Sequence, residues 1–412
     1  MDLLQKLSDP QVWAAYFSYK AENRHLTRSE EQELKVYIEE KRYLTALQHI
    51  FECDSFGVPE KKLIRKTDSD KKRTVYVFPQ DENLLLKLLT YLLIREYDGI
   101  FSDNLFSFRV DFGVKRAMAK ILSTPGLNRK YTYKVDISNY FNSIDTARIL
   151  EELKTLPGME GQLFHMFELL LSDRRCIDNG TVIEEDKGVM AGTPTAVFLA
   201  NLYLRELDAA FEKTPVLYAR YSDDIMIFAD TEEEREAGAQ KNLRILKARG
   251  LSVNEKKEIR TSPGEQWTFL GIGYQDGVID VSPVSKDKLK AKIRRKARAI
   301  KRWQVRKKAS DEQAVKAFLR AMNKKFFDAD SSHELTWTRW YFPLITTDQS
   351  LKEIDHYVQY WARYLKTGRH NEGMYRFRYE EMKELGYISL VHEWYEHRSE
   401  GAAPKNTEAE AY

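Results

Sequence analysis

Two adjacent aspartates between two strand-like runs constrain the fold of this chain more than any other feature. Residues 217–221 and 225–228 are mainly apolar or aromatic, and Ser222, Asp223 and Asp224 lie between and beside them. This pattern predicts a β-hairpin with both carboxylates at its tip. Neighbouring carboxylates repel each other, so a fold that keeps them together favours a nearby cation. Because Asp-Asp is also common in solvated turns, the hairpin alone leaves that alternative open.

A second acid occupies a similar position earlier in the chain. Residues 131–137 predict a strand that carries Asp136 near its end. Asp136 and Asp223 would converge if their strands are neighbours, with Asp224 assisting or orienting. Taken alone, Asp136 also fits a helix N-cap. Together the acids favour a site for two Mg²⁺ ions roughly 3.5–4 Å apart, the arrangement used in nucleotidyl transfer.

The remaining pattern predicts an α+β fold. A hairpin with a polar, basic tip is predicted over residues 63–78, and a return strand over 251–253. Thr193-Pro194 resembles a helix start, and Thr231 to Glu234 has the capping-box pattern. Helices are predicted within 1–60, over 81–100, 139–150, 195–210 and 231–250, and beyond 283. This order indicates an antiparallel sheet backed by helices, of the split-βαβ kind.

Positive charge is concentrated in one short block. Residues 286–308 contain 13 Lys or Arg and one acid, whereas the whole chain has 66 basic and 63 acidic residues and a net charge of +3. The block therefore indicates contact with a polyanion such as a nucleic-acid backbone. A solvated helix face is the alternative. The candidate phosphate contacts are Arg294, Arg295, Arg298 and Arg302.

Composition also bears on location. No apolar run approaches the roughly 18 residues that span a bilayer, and the N-terminus lacks a signal-peptide pattern. Cys53 and Cys176 are far apart and form no metal-spaced cluster. These features predict a cytoplasmic protein with reduced thiols and no membrane partner.

Several segments, taken together, resemble the catalytic motifs of reverse transcriptases. In chain order they are residues 134–141 (KVDISNYF), 190–195 with 199–204, 221–224 (YSDD), 251–257 (LSVNEKK) and the primer-grip-like 267–271 (WTFLG). Their order and spacing agree over residues 60–275. The resemblance implies a right-hand polymerase with fingers, palm and helical thumb, which synthesises DNA on RNA with two Mg²⁺ ions. Mn²⁺ is the alternative ion.

The resemblance also implies roles for individual residues. The metal-binding catalytic acids are Asp136, Asp223 and Asp224, and Lys257 is the candidate general acid for pyrophosphate. The predicted dNTP-binding residues are Lys66 and Arg73 of the fingertip loop, Phe141, which would exclude a 2′-hydroxyl, and Gly192. The predicted template–primer contacts are Phe269, Leu270 and Gly271 together with the four arginines. Ala191 stands where relatives often have Gln.

The domains expected from this resemblance follow the right-hand plan. They are an N-terminal helical extension (1–60), fingers (61–130), a palm (131–280, with finger elements around 150–190), a helical basic and aromatic thumb-like domain (281–397) and a disordered tail (398–412). Residues 104–109 resemble a further motif of bacterial enzymes, for which a structural role is expected. No RNase H or endonuclease domain is expected.

The whole pattern resembles the stand-alone bacterial reverse transcriptases linked to phage defence, of the abortive-infection and unknown-group types. It lacks the Val-Thr-Gly signature of retron enzymes. The resemblance implies a structured noncoding RNA as template, a DNA product and dNTP substrates, and it leaves the oligomeric state open. Two alternatives remain: template-independent DNA synthesis with a protein or RNA primer, and a non-catalytic RNA-binding, maturase-like scaffold.

Overall fold

The computed structural model describes residues 1–22, 26–65, 72–327 and 336–402 of the chain. Lys66, a predicted dNTP contact, lies outside these residues, as does the predicted tail beyond Ala402. The chain forms two compact units, Met1–Glu265 and Gln266–Tyr412.

The strands of the described residues are β1 (Glu60–Arg65), β2 (Lys72–Val77), β3 (Tyr131–Asp136), β4 (Arg175–Asp178), β5 (Thr181–Glu184), β6 (Leu217–Tyr221), β7 (Asp224–Ala229), β8 (Ile259–Thr261), β9 (Trp267–Phe269), β10 (Ile272–Gln275) and β11 (Val278–Val281). The α-helices are α1 (Leu3–Ser8), α2 (Pro10–Glu22), α3 (Arg28–Glu39), α4 (Arg42–Glu52), α5 (Gln80–Glu96), α6 (Val114–Leu122), α7 (Thr146–Lys154), α8 (Gly161–Ser172), α9 (Ala196–Tyr203), α10 (Arg205–Glu212), α11 (Glu232–Ala248), α12 (Pro283–Lys307), α13 (Asp311–Phe326), α14 (Trp337–Tyr341), α15 (Gln349–Thr367), α16 (Tyr379–Glu384) and α17 (Leu390–Ala402).

The N-terminal helices α1–α4 form a layer against α5. Thr27 and Glu30 make a reciprocal capping box that fixes the start of α3. An aromatic cluster holds the layer together, with the ring of Trp13 stacked on Tyr43 at 5.1 Å and edge-on to Tyr37 at 5.3 Å. The Tyr37 hydroxyl donates to Asp81 O at 2.9 Å, which ties the layer to the first turn of α5.

The first sheet has the order β2-β1-β4-β5. The predicted hairpin is present, since β1 and β2 are antiparallel with Arg65 opposite Lys72. β4 joins β1 in parallel where Glu60 faces Ile177, so residues from the 150–190 region complete this sheet. An ion pair of 2.7 Å between Lys61 and Glu185 links β1 to the residue after β5.

The second sheet, of order β6-β7-β3-β8, is antiparallel throughout. β7 is buried on both faces from Ile225 to Ala229, which explains why this stretch is continuously apolar and does not alternate. Helix α11 contacts both β7 and β3. The predicted α+β class, with an antiparallel sheet backed by helices, is confirmed.

Two local predictions in this unit are wrong, and a third, the helix over 195–210, is confirmed apart from one break. The helix predicted from Asn139 begins only at Thr146, because Asp145 caps it by accepting from Ala147 N at 2.9 Å, and a 3₁₀ turn precedes it. Thr193 is not an N-cap, since its hydroxyl donates to Met190 O at 2.9 Å. The following helix starts at Ala196 and divides at Leu204 into α9 and α10.

For the segment after β7, the predicted helix is present as α11 and the predicted return strand is not. Thr231 accepts from Glu234 N at 3.2 Å, and Gly250 has a left-handed φ of 72° after α11, as a C-terminal cap requires. Residues 251–253 do not form a strand; they make one bridge, between Val253 and Ile137. The fourth strand of the sheet is instead β8.

The second compact unit contains a three-stranded antiparallel meander and a helical bundle. The meander has the order β11-β10-β9. β10 pairs with both β9 and β11, and the division between the two units falls after Glu265, just before this meander. Helices α12, α13 and α15 contact one another. The final helix, α17, continues to Ala402, which places 398–402 in helix where a disordered tail was expected.

None of the helices in the described ranges combines the length and the apolar character that crossing a membrane requires.

Candidate active site

A tight turn presents the paired aspartates. Tyr221 pairs with Asp224 across β6 and β7, which leaves Ser222 and Asp223 as the two turn residues. Ser222 adopts a left-handed φ of 58°. The two-residue hairpin turns that match the right-handed twist of β-strands require a positive φ at their first central residue. The backbone N–H of Ser222 donates to the Ser107 hydroxyl at 2.8 Å. The turn is therefore fixed by a side chain from another segment.

The third aspartate reaches the same end of the sheet from β3. Asp136 lies directly opposite Asp224 in the antiparallel register of β3 and β7. Ile137 N donates to Asp223 O at 2.9 Å, and Asn254 N donates to Asp136 O at 2.8 Å. The predicted convergence of Asp136 with the hairpin tip is thus present.

The electrostatics of the site favour a cation. Burial, reinforced by the charge of Asp136, raises the pKa of Asp223. Burial also raises the pKa of Asp224 to about 6, against the opposing effect of Lys134. The Oδ1 atom of Asp224 is buried and accepts no hydrogen bond. Buried carboxylate oxygens of this kind are hard donors that suit a divalent ion.

Two lysines already neutralise part of this charge. Lys257 Nζ lies 2.8 Å from Asp136 Oδ1, and Lys134 Nζ lies 3.5 Å from Asp224 Oδ2. Across the described ranges, no three His, Cys, Asp or Glu side chains form a ready-made metal cluster. Each ammonium group contacts one oxygen of its carboxylate, so Lys257 competes with a divalent ion for Asp136 Oδ1 and Lys134 competes for Asp224 Oδ2.

A buried ion pair beneath the turn was missed by sequence reasoning. Arg220 and Asp208 are both fully buried, with Arg220 Nε 2.7 Å from Asp208 Oδ1. Tyr218 also donates to Asp208, at 2.9 Å, and Arg220 Nη1 donates to Ser222 O at 3.3 Å. The available signal was a lone arginine within an otherwise apolar strand, which implies a buried partner.

Residues 104–109 cover the outer edge of β6, in agreement with the structural role expected for them. Leu105 pairs in parallel with Arg220, and Phe106 N donates to Arg220 O at 2.9 Å. Ser107 is buried, and its carbonyl accepts from Asn201 Nδ2 at 2.8 Å. This segment therefore supports the turn at Ser222 and Asp223 from the side of β6.

Of the candidate dNTP-contacting residues that the structure describes, Phe141 follows β3 and Arg73 lies on β2 of the first sheet. Arg73 is exposed on β2, and its charge, with that of Lys257, partly offsets the burial-driven rise in the pKa of Asp223. Phe141 is half-buried and follows β3, and its carbonyl accepts from Val189 N at 2.9 Å.

The loop that contains Gly192 is packed between β2 and the turn after β3. Tyr76 N donates to Ala191 O at 2.8 Å, and Ala191 N donates to Asn142 Oδ1 at 2.8 Å. A Cβ atom added to Gly192, whose φ is 98°, would lie 2.8 Å from Val75 Cβ. The close packing that Gly192 permits is therefore between its own loop and β2.

The candidate template–primer residues belong to the second unit. Leu270 and Gly271 form the tight β9–β10 turn with φ values of 49° and 89°, and the preceding Phe269 is buried. The four predicted arginines of α12 are all exposed, opposite a buried face formed by Leu289, Ile293, Ala297 and Ile300. Of the aromatic residues further on, Trp361 and Tyr341 are buried core residues.

An antiparallel sheet that gathers three aspartates at one end, two of them adjacent at the tip of a hairpin, defines the palm of a nucleic-acid polymerase. Residues 64–274, about half of the chain, match the family model "Reverse transcriptase (RNA-dependent DNA polymerase)". The chain therefore belongs to the reverse transcriptase family. It is an RNA-directed DNA polymerase, and such enzymes generally use divalent metal ions.

Individual relatives are distant. The chain is 23% identical over 234 residues to the Retron Ec86 reverse transcriptase of Escherichia coli, covering 56% of this chain and 67% of that protein. This match and the family model confirm the resemblance to bacterial reverse transcriptases. Among solved structures, a truncated apo telomerase from Candida tropicalis has a TM-score of 0.44 and 11% identity, with 60% of each chain covered. Telomerase from Candida albicans in complex with a telomeric RNA fragment has a TM-score of 0.44 and 10% identity, over 90% of this chain and 71% of that chain.

Proposed function

We propose that this protein copies RNA into DNA with two Mg²⁺ ions held by Asp136 and Asp223, with Asp224 as the supporting carboxylate. The observation that carries this proposal is the meeting of Asp136 with the Asp223-Asp224 turn inside the segment that matches the family. The raised pKa of Asp223 and the unpartnered Oδ1 of Asp224 support a divalent ion at this place. Mn²⁺ has the same ligand preference and is the alternative ion.

The side chains around the carboxylates have complementary tasks. Bound Mg²⁺ would supply Lewis acidity to the attacking 3′-hydroxyl and to the leaving pyrophosphate. Lys257, once released from Asp136, carries a proton on Nζ that the pyrophosphate can accept. Arg73 binds triphosphate oxygens with its planar guanidinium, assisted by Lys66. Phe141 offers a 2′-hydroxyl no hydrogen-bond partner, which disfavours ribonucleotides.

The second unit supplies contacts to the template–primer duplex in this proposal. The exposed arginines of α12 bind phosphates without regard to sequence. The tight turn at Leu270 and Gly271, with Phe269 behind it, holds the primer strand. The exposure of all four arginines on one helix supports this assignment.

The biological setting that we propose follows from the resemblance to defence-associated bacterial enzymes. The template is a structured noncoding RNA and the product serves antiphage defence. A cytoplasmic location agrees with the free thiols of Cys53 and Cys176.

Nucleotide incorporation by the purified protein tests the proposed function. With Mg²⁺, we expect product from dNTPs and not from NTPs, and we expect RNase treatment before the reaction to abolish synthesis on co-purified RNA. Sequencing the product would identify the template. RNase-resistant synthesis would instead establish template-independent polymerisation, and incorporation of NTPs would contradict the role of Phe141. Biological activity that survives the loss of Asp223 and Asp224 would establish a non-catalytic scaffold.

A further inference from the structure

Phe108 has an unusual backbone conformation beside the catalytic turn. It is not glycine, yet its φ is 56°, in the left-handed region that bulky residues seldom adopt. The residue is 38% exposed and lies outside the buried core. Its centroid lies 6.4 Å from that of Tyr221, the residue that begins the catalytic turn. The protein therefore maintains an unfavourable conformation in order to place an exposed ring here.

The residues on both sides of Phe108 are firmly held. Ser107 accepts from Ser222 N and from Asn201 Nδ2, both at 2.8 Å. Arg109 donates from Nε to Asp98 Oδ1 at 2.9 Å and from Nη1 to Ser102 O at 2.6 Å. With both neighbours fixed, the strain at Phe108 cannot relax by movement of the segment.

The position of Phe108 across the sheet indicates which reactant it faces. Its segment pairs with β6, the edge strand, through Leu105 and Arg220. The candidate dNTP contact Phe141 follows β3, which pairs with β7 on the side away from β6. Its carbonyl accepts from Val189 N, and Ala191 O of the same loop accepts from Tyr76 N of β2, the strand that carries Arg73. The nucleoside that reaches the carboxylates from the β6 side is therefore the one at the end of the growing strand.

We infer that Phe108, together with Tyr221, forms an aromatic platform that contacts the terminal nucleoside of the primer and holds its 3′-hydroxyl near Asp223. This inference rests on the proposed function. Aromatic rings bind the apolar faces of bases and sugars but not phosphates, and such contacts tolerate any base. Phe108 is thus a primer-contacting residue, which sequence reasoning placed only in a structural segment.

Steady-state extension of a DNA primer on an RNA template by the full-length protein tests the inference. Phe108→Gly removes the ring and also relieves the backbone strain. We expect the KM for primed template to rise about tenfold, the size expected when one base no longer stacks on an aromatic ring, with the KM for dNTP unchanged. We expect the thermal midpoint to stay equal or to rise, because glycine accepts this φ. Phe108→Tyr should restore the KM for primed template to within about twofold, since it keeps the ring.

Asp111→Gly is the matched control. Asp111 is exposed in the same loop with a φ of 58°, so this variant introduces glycine at a left-handed position without removing a ring. It should leave both KM values unchanged. An unchanged KM for primed template in Phe108→Gly, or an equal rise in both KM values, would overturn the inference while leaving the polymerase intact. A wild-type protein that extends no primed template would overturn the proposed function as well.

Discussion

Asp224 links the protonation of the site to its stability. Its pKa is raised from 3.8 to about 6, so the folded protein holds this proton more tightly than the unfolded chain does. The contribution of Asp224 to metal-free stability is therefore most favourable below pH 4 and is lost as the pH rises through about 6. At 1.36 kcal/mol per pKa unit, the loss amounts to about 3 kcal/mol.

We expect this dependence to disappear in Asp224→Asn. Urea unfolding at pH 5 and pH 7 in EDTA gives the free energies of unfolding, and wild type should lose more stability than the variant between these values. Added Mg²⁺ should stabilise wild type more at pH 7 than at pH 5. Equal pH dependence of wild type and variant would contradict the assigned environment of Asp224.

In the proposed mechanism, Lys257 competes with the metal ion for Asp136 and also acts as the general acid. Because its Nζ lies 2.8 Å from Asp136 Oδ1, its removal should free that carboxylate for Mg²⁺. For Lys257→Ala we therefore expect a lower half-saturating Mg²⁺ concentration, together with a maximal rate reduced by about 10²-fold through loss of the general acid.

The measurement is primer extension across a Mg²⁺ titration. Lys256→Ala is the control, since Lys256 is exposed in the same 3₁₀ turn. A lower Mg²⁺ requirement without loss of rate would show that Lys257 only neutralises Asp136.

At the scale of elements, the loop before α9 depends on its contact with β2. Gly192→Ala combines an unfavourable φ with a Cβ only 2.8 Å from Val75 Cβ. Gly180→Ala is a matched control in the β4–β5 turn, with a φ of 85° and no atom within 4 Å of the added Cβ. Both variants lose backbone stability, but Gly192→Ala should lose about 1–3 kcal/mol more because of overpacking.

Denaturant midpoints of the two glycine variants provide this comparison. Equal losses of stability would mean that β2 moves away from the loop at no cost.

The buried pair of β6 and α10 supports the catalytic turn. Asp208→Ala leaves Arg220 charged and unpaired in the core, which should cost about 3–5 kcal/mol. The double variant Asp208→Leu, Arg220→Met should recover most of that stability. Its activity should stay low, because the hydrogen bond from Arg220 to Ser222 O is lost. Full activity in the double variant would show that the pair has no positioning role.

The elements that a short local sequence pattern determines were predicted correctly. The hairpin at Asp223 and Asp224, the strand that ends in Asp136 and the basic helix all follow from short apolar or charged runs. The failures were places where tertiary contacts decide the structure. Asp145 displaced the expected helix start, and Thr193 bonded back to Met190. The strained Phe108 and the Arg220–Asp208 pair depend on residues distant in sequence, so no local pattern reveals them.

At the scale of the whole molecule, affinity for nucleic acid should depend on α12. Replacing Arg294, Arg298 and Arg302 with glutamine removes three positive charges from its exposed face. The slope of log Kd against log salt for a primed template should then decrease by about 0.7–0.9 for each phosphate that is no longer neutralised. Lys35→Gln, on the exposed surface of α3, should leave the slope unchanged. An unchanged slope in the triple variant would exclude α12 from the duplex interface.

In the proposed mechanism, Asp136, Asp223 and Asp224 support DNA synthesis directed by RNA. Single-nucleotide extension of a DNA primer on RNA templates that differ in one base distinguishes this mechanism from its alternatives. With Mg²⁺, the wild-type protein should add the complementary dNTP in each case, and Asp136→Asn and Asp223→Asn should each abolish addition while remaining folded. Addition that ignores the template base, or that persists in the asparagine variants, would contradict the claim.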